Sequence, residues 1–519
     1  MGFKLFSSLP SRSDQQTLSG VVLSEIAISG RSLGGPPIQK GKIQRLSSVF
    51  DTSDITGTYQ FGTSFQSTPT VVVSLDGTNS NEFSGIVSTR SVSTNDFSYK
   101  ISNISSDSLG QTIDSSGNVG LYTSLQVVGG NPAMSYYDVT NVDLKFIRAL
   151  DSTGGSWGAG QTIDGTGGVF VGLYTSLQVV GGNPAVSYYD ATNGDLKFIR
   201  ALDSTGGTWG EGQQIDTSPD VGQYTSLQIV DGNPAVSYYD FTNKDLKFIR
   251  ALDSTGGSWG VGQTIDSSSA DLGQWTSLQV VGGNPAVSYW DQANRDLKFI
   301  RALDSTGGSW GAGQTIDDSG TGFVGLFTSL QVVDGNPAVS YWDQTNGDLK
   351  FIRALDSTGG SWGVGQTIDG TGGVFVGLYT SLQVVGGNPA VSYLDSTNDN
   401  LKFIRALDST GGRWGVGQTI DTQGNVGLWA SLQVVDGVPA ISYIDNTTTA
   451  RTLKFIRALD STGGRWGVGR TIGSVAGSVS TSLQVVGGRA SVSYWDGANG
   501  DLKFIRDNPI NIDFNYIAI

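Results

Sequence analysis

The chain has 519 residues, of which 75 are Gly, with 37% hydrophobic and only 15% charged; that balance suits many short strands joined by tight turns rather than packed helices. With 31 Lys and Arg against 46 Asp and Glu, the net charge of -15 repels nucleic-acid phosphates and anionic membrane surfaces. Neither Cys nor His occurs, which removes thiol nucleophiles, disulfides, imidazole bases, Cys/His zinc sites and Ser-His-Asp chemistry together.

Residues 1–48 read as a basic arm. Through residue 50 the chain carries Lys4, Arg12, Arg31, Lys40, Lys42 and Arg45 against Asp14 and Glu25, a local excess of positive charge suited to docking on an acidic structural partner. The start, Met-Gly-Phe-Lys-Leu-Phe, lacks the apolar core and cleavage site of a secretory signal. Phe6 stands where a myristoylation motif needs Ser or Thr. No stretch approaches the ~18 apolar residues of a membrane-spanning helix.

Residues 49–104 read as strands around Phe65, Val71 to Leu75, Ile86 to Arg90 and Phe97 to Ile101, and the tail Ile512 to Ile519 as one more with period-2 patterning. Between them lies a repeat. Ser-Leu-Gln recurs with its Ser at 124, 176, 226, 277, 329, 381, 431 and 482, a spacing of about 50 residues. Each copy holds four strand-like pieces, here termed A to D, as in Thr175–Val180, Pro184–Asp190, Leu196–Leu202 and Trp209–Asp216. Four strands per ~50 residues predict an all-β, eight-bladed β-propeller over 109–506. The array begins with a D-type piece, Gly110–Asp114, and ends with a C-type piece, Leu502–Arg506; the expected closure completes the last blade with the first strand and leaves no long open edge. The array's ends then meet, as an inserted domain requires, so 49–104 plus 508–519 are expected to form a small, split antiparallel β-sandwich.

In those flanks Phe65-Gln-Ser-Thr-Pro-Thr-Val-Val-Val73, Val92-Ser-Thr-Asn-Asp-Phe-Ser-Tyr99 and Phe514-Asn-Tyr-Ile-Ala518 resemble an H-type lectin domain. Tyr516 replaces the family's usual Trp in the last strand. The resemblance implies a small sandwich, commonly a homotrimer, found in lectins and in fibre or adhesion proteins. The repeat itself is similar to Ser-Tyr-Tyr-Asp and Leu-Lys-Phe repeats of microbial surface and secreted propellers. Its C to D turn, Asp203-Ser-Thr-Gly-Gly-Thr-Trp209, resembles the structural Asp-box of sialidase propellers, one residue longer.

Residues present in every blade are expected to serve the fold. The box aspartates, such as Asp203, should accept turn amides, the C to D tryptophans should pack, and the repeated Arg (Arg200) and Asp (Asp190) should satisfy each other or backbone carbonyls at strand ends. Variation concentrates in the D to A and B to C connections, which share one face of a propeller. Aromatic residues ring that face: Tyr122, Tyr174, Tyr224, Trp275, Phe327, Tyr379 and Trp429 enter strand A, with Ser480 breaking the series. Trp290, Trp342 and Trp495 end strand B. These ten are the candidate ligand-binding residues, since aromatic faces stack on the apolar faces of sugar rings; packing between blades is the competing expectation.

No cofactor is expected, and no metal, because no loop has the spaced carboxylates and closing Glu of an EF-hand. The expected function is non-enzymatic: a glycan or glycoprotein-receptor adhesin, outside a cell or on a virus or phage particle. A structural fibre head is the alternative. A sialidase-like glycan hydrolase is the enzyme rival, but its blade-unique carboxylates, Glu211, Asp271 and Asp318, are scattered between blades, whereas hydrolysis needs a close pair.

Overall fold

The computed structural model describes residues 39–48, 55–60, 71–76, 83–92, 96–106, 110–507 and 509–518, less short loop pieces at 166–167, 319, 321, 371–373, 449–450 and 476–480. Every regular element among them is a strand, and no helix long and apolar enough to cross a membrane occurs.

Eight four-stranded antiparallel sheets form the larger unit. Blade 2 shows the pattern: A Val171–Val180, B Asn183–Asp190, C Asp195–Arg200 and D Gln213–Asp216, hydrogen-bonded in that order. Blade 8 combines A Thr481–Val486, B Arg489–Asp496 and C Asp501–Arg506 with Gln111–Asp114 as its D strand, Phe504 facing Gln111. The A strands of successive blades touch, including those of blades 8 and 1. The eight-bladed propeller closed by its first strand is therefore present as expected.

Alternation explains the blades. In strand A, Leu177 turns to the preceding blade, where it joins Val128, Ala133, Leu144 and Phe146, while Val180 turns to the following one, beside Val221 and Leu227. Both faces of each sheet are thus buried between neighbours, and the core is a ring of interblade layers. The Ser-Leu-Gln signature has a specific part in this. Ser124 Oγ accepts a hydrogen bond from Leu177 N, Ser176 Oγ from Leu227 N and Ser482 Oγ from Leu125 N, at 3.1 to 3.2 Å, so the serine ties the innermost strands of these neighbouring blades together.

A second tie crosses seven of the eight interfaces. The Asp ending each D strand accepts from a Tyr of strand B and a Lys of strand C in the following blade, as Asp216 does from Tyr238 at 2.5 Å and Lys247 at 2.6 Å. The same staple holds at Asp114, Asp164, Asp266, Asp317, Asp369 and Asp421. Burial would raise the Asp266 pKa, but the bonds from Lys298 and Tyr289 hold it below the usual carboxylate value. Between blades 7 and 8 the staple is missing. Gly473 takes the Asp position, where a Cβ would collide with the Tyr494 ring, and Tyr494 donates to Ile472 O instead.

The C to D turn is the box expected. Asp203 accepts the amides of Thr205, Gly207 and Thr208 at 2.7 to 3.1 Å and both threonine hydroxyls. Trp209 donates to Gly206 O and packs edge-on against Phe146 of the preceding blade, centroids 4.9 Å apart. The repeated Arg and Asp do not meet. Arg200 donates to Val180 O and Gly181 O at the A to B turn, whereas Asp190, at the other end of the blade, accepts the amides of Thr192 and Asn193.

Two aspartate sets titrate in opposite senses. Hydrogen bonds hold the box carboxylates low, Asp460 to about 2; these contribute stability that is present above the unfolded value near 4 and lost as pH falls through the folded values. Burial and facing aspartates raise Asp143, Asp195, Asp245 and Asp348, and Asp296 to about 6; each binds its proton more tightly folded than unfolded, so stability falls as pH rises from 4 to 6. The thermal midpoint, followed by circular dichroism, is expected to peak near pH 4 to 5, decline modestly toward pH 7 and drop steeply between pH 4 and 2. A midpoint unchanged from pH 4 to 2.5 contradicts this assignment.

The smaller unit, described as backbone only, has two three-stranded sheets. In one, Pro509–Ala518 lies between Gln39–Ser48 and Val71–Asp76; in the other, Asp96–Ser106 lies between Ile55–Gln60 and Phe83–Val92. Residues 39–48, read from their charge as part of the arm, are thus a strand. Lysines at 40 and 42 suit its edge position, where charge discourages pairing with another chain.

Candidate functional site

The residues entering strand A form a collar. Between Leu173 and Ser176 the A–B ladder loses register, two residues on A opposing one on B, and Tyr174 adopts φ 54°. Tyr122, Tyr224, Phe327, Tyr379 and Trp429 repeat this left-handed backbone, with φ between 49° and 55°, a conformation costing an L-residue on the order of 1 kcal/mol or more. A second bulge lies just before it. Gly172 has φ 103°, and a Cβ there would sit 2.8 Å from Leu144 Cα of the neighbouring blade, so only Gly lets the strand approach and turn.

The rings so directed meet one another. Centroids are 4.9 Å apart for Tyr122–Tyr174, 5.0 Å for Tyr174–Tyr224, 4.6 Å for Phe327–Tyr379 and 5.1 Å for Tyr379–Trp429. Tyr122, Tyr174 and Tyr224 hydrogen-bond in a row, and burial, reinforced by these neighbours, raises the Tyr174 hydroxyl pKa. Tyr224 and Trp429 remain 43% and 37% exposed, and Arg451 lies over the Trp429 ring at 5.4 Å. The Trp275 side chain lies outside the described residues.

Strained aromatic positions make a distinctive prediction. Ala resists φ near +55° and Gly does not, so Tyr224→Gly is expected to unfold at higher denaturant than Tyr224→Ala, by about 1 kcal/mol, reversing the usual order within a strand. Urea titration of both variants checks it; Ala at or above Gly refutes the strain.

The strand-B candidates divide. Trp290 and Trp342 are only 6% and 8% exposed and cluster with Leu326, Phe323 and Phe327. Their expected place on the open face is corrected: Phe327 of the same blade covers Trp342 at 6.1 Å, as Tyr174 covers Tyr189 at 6.3 Å, and Trp290 is enclosed with Leu326, Phe323 and Phe327 of the following blade. Trp495, in blade 8, is half-buried, with its Nε1 donating to Asn118 Oδ1 at 3.0 Å.

The connections rimming the collar are acidic. Tyr189 and Tyr239 donate to Asp220 and Asp271 in the next D to A connection, and Lys244 lies 3.5 Å from Asp271. Asp318 lies near enough to Asp296 to help raise its pKa, whereas Glu211 is exposed in the C to D segment, at the opposite face. The blade-unique carboxylates therefore do not converge. Nor do arginines cluster at the collar, since the strand-C set is engaged with turn carbonyls at the other end. Among the described residues no group of three or more acidic side chains is arranged to hold a metal ion.

No family model matches the chain, and no curated protein matches it. Solved structures resemble the chain only at low identity and low TM-score. A point mutant of the NanB sialidase of Streptococcus pneumoniae is 11% identical with a TM-score of 0.31, covering 82% of this chain and 74% of that one. The polysaccharide lyase Uly1 is 10% identical with a TM-score of 0.37, covering 79% and 91%. A Mycobacterium tuberculosis puromycin-hydrolyzing peptidase is 11% identical with a TM-score of 0.42, covering 72% and 57%.

Proposed function

We propose that this protein is a non-enzymatic glycan-binding or glycoprotein-receptor-binding adhesin whose contact face is the aromatic collar and the variable connections around it. The observation that carries the reading is the strained backbone repeated at the collar: its cost recurs at six described positions, always to turn a large ring toward the same mouth. Eight positions at the observed ring spacing lie on a circle of roughly 6 to 7 Å radius, around a propeller channel, a width suited to a saccharide rather than a folded domain. Aromatic rings with polar edges are the side chains that such a ligand needs. The reading includes display outside a cell or on a virus or phage particle, trimerisation through an H-type lectin-like sandwich, and docking of the basic N-terminal segment on an acidic structural protein.

A screen of the intact protein on a glycan array is expected to show selective binding, reduced at least tenfold in a folded Tyr122→Ala/Trp429→Ala variant. Absence of selective signal with the intact protein would sink the reading, and equal binding by the variant would remove the collar from it.

One observation favours a structural head instead. On the opposite face Leu150, Leu202, Leu252, Leu303, Leu355, Leu407 and Leu459 are 60 to 69% exposed, an apolar annulus of the kind that marks interaction surfaces. If the array is blank, that face is the one to probe.

A further inference from the structure

The fold accounts for two residues of the Ser-Leu-Gln signature and leaves the third. Ser176 ties its strand to the next blade and Leu177 fills an interblade layer. The glutamine does neither. One stands in every blade, from Gln126 in blade 1 to Gln484 in blade 8, each half-buried, and none of these side-chain amides hydrogen-bonds another described residue. Thr175, three residues before Gln178, is by contrast committed to Ser135 Oγ at 2.9 Å and Tyr122 O at 2.8 Å. Neighbouring positions vary between copies, with Ala430 in place of Thr and Ile229 in place of Val, but the glutamine does not. An amide that reaches water and has no protein partner adds little to folding stability. Packing therefore gives no reason for eight of them.

Their place follows from the alternation along strand A. Gln178 shares a side with Ser176 and Val180, which engage blade 3. The sheet faces are buried between blades and the A strands touch all the way round, so the exposed part of an A-strand side chain opens on the central channel. Val280, Val332 and Val384, one step beyond their glutamines, are 38 to 40% exposed there. Gln178 follows Tyr174 by four residues on the same strand, a descent of about 10 Å or more from the collar. The glutamines thus form a ring of primary amides coaxial with the aromatic one. Each offers two N–H donors and one carbonyl acceptor, and no A strand carries a charged residue. That wall suits sugar hydroxyls, which both donate and accept, and it holds no cation to pair with a carboxylate.

We infer that the amide ring is a second contact zone of the same site and takes the end of an unbranched, neutral glycan chain threaded through the collar along the propeller axis. This rests on the glycan-binding reading and names its ligand class. A ring of touching strands has no lateral opening, so a chain reaches the amides only by its terminus. The terminal sugar bonds the amides through its hydroxyls, and the collar stacks on the units behind it.

The test uses an array of neutral oligosaccharides, each present with its outer end free and with a terminal sialic acid added. It compares the intact full chain with the variant Gln178→Met/Gln279→Met/Gln383→Met/Gln484→Met, which keeps side-chain length and removes the amides from alternate blades; the thermal midpoint of both is measured. The expected result is binding of free neutral ends by the intact chain, loss of that binding on sialylation, and binding weaker by roughly tenfold or more in the variant, its midpoint within about 3 °C of the intact chain. Undiminished binding by the variant overturns the amide ring and leaves the collar reading standing. A clearly lower midpoint assigns the glutamines to the fold and overturns the ring equally. Binding indifferent to the added sialic acid overturns end-on entry of a neutral chain. No glycan binding by the intact chain overturns the broader reading, and the ring with it.

Discussion

Replacing Gln111-Thr-Ile-Asp114 by Gly-Ser-Gly-Ser in the full chain is expected to lower stability by about 5 kcal/mol or more and to make the protein prone to association. Three contributions add. The ladder from Gln111–Asp114 to Leu502–Phe504 disappears, leaving the edge of blade 8 open to another chain. Ile113 leaves the layer containing Val119, Met134, Tyr136 and Phe504, comparable to a large-to-small core substitution of about 2 kcal/mol or more. Removing Asp114 also strands Lys145, 7% exposed and bonded to it at 2.7 Å, a loss in the range of about 3 to 5 kcal/mol. Urea unfolding and light scattering read both effects. A variant that stays monodisperse with an unchanged midpoint would show that the first strand is dispensable to closure.

The second large effect belongs to a single side chain. Asp266→Ala is expected to cost about 3 to 5 kcal/mol, the typical result of breaking a buried ion pair from one side, because Lys298 then keeps its charge at 5% exposure without its partner at 2.6 Å, and the Tyr289 hydroxyl loses its acceptor. The paired substitution Asp266→Ala with Lys298→Met is expected to recover most of the loss, since an apolar replacement for both partners removes the desolvation penalty. Chemical denaturation of the two variants decides it. Equal losses in single and double variants would mean that the aspartate acts through packing alone.

The architecture was legible because the repeat length, the strand count and the displaced first D piece are one-dimensional facts. The Asp boxes and their tryptophans were readable for the same reason: every partner of Asp203 lies within five residues of it. The staples were not. Leu-Lys-Phe reads as an alternating strand with a solvated Lys, but a propeller blade is covered on both faces, so Lys247 is enclosed too, and its carboxylate lies in the repeat before it. The collar was visible as a series of aromatic residues, but its left-handed backbone depends on a bulge, which no propensity for Tyr or Trp announces. Trp290 and Trp342 were placed on the open face because strand ends are usually accessible; Phe327 of its own blade closes over Trp342, a contact that needs the bulge to be known, and residues of the following blade enclose Trp290.

Consider last what Asp114 touches. Its ladder partner Leu502 lies almost four hundred positions away, yet its side-chain partners Tyr136 and Lys145 come within about thirty. During synthesis, which proceeds from the N-terminus, the strand can therefore find a berth on blade 1 as soon as that blade exists, through contacts of short loop-closure entropy. The last three strands of the propeller, made after all the others in it, meet a waiting template rather than a free tail. The molecule keeps its own clasp fastened at one end from the outset, and the longest loop in the propeller is closed by docking rather than by search.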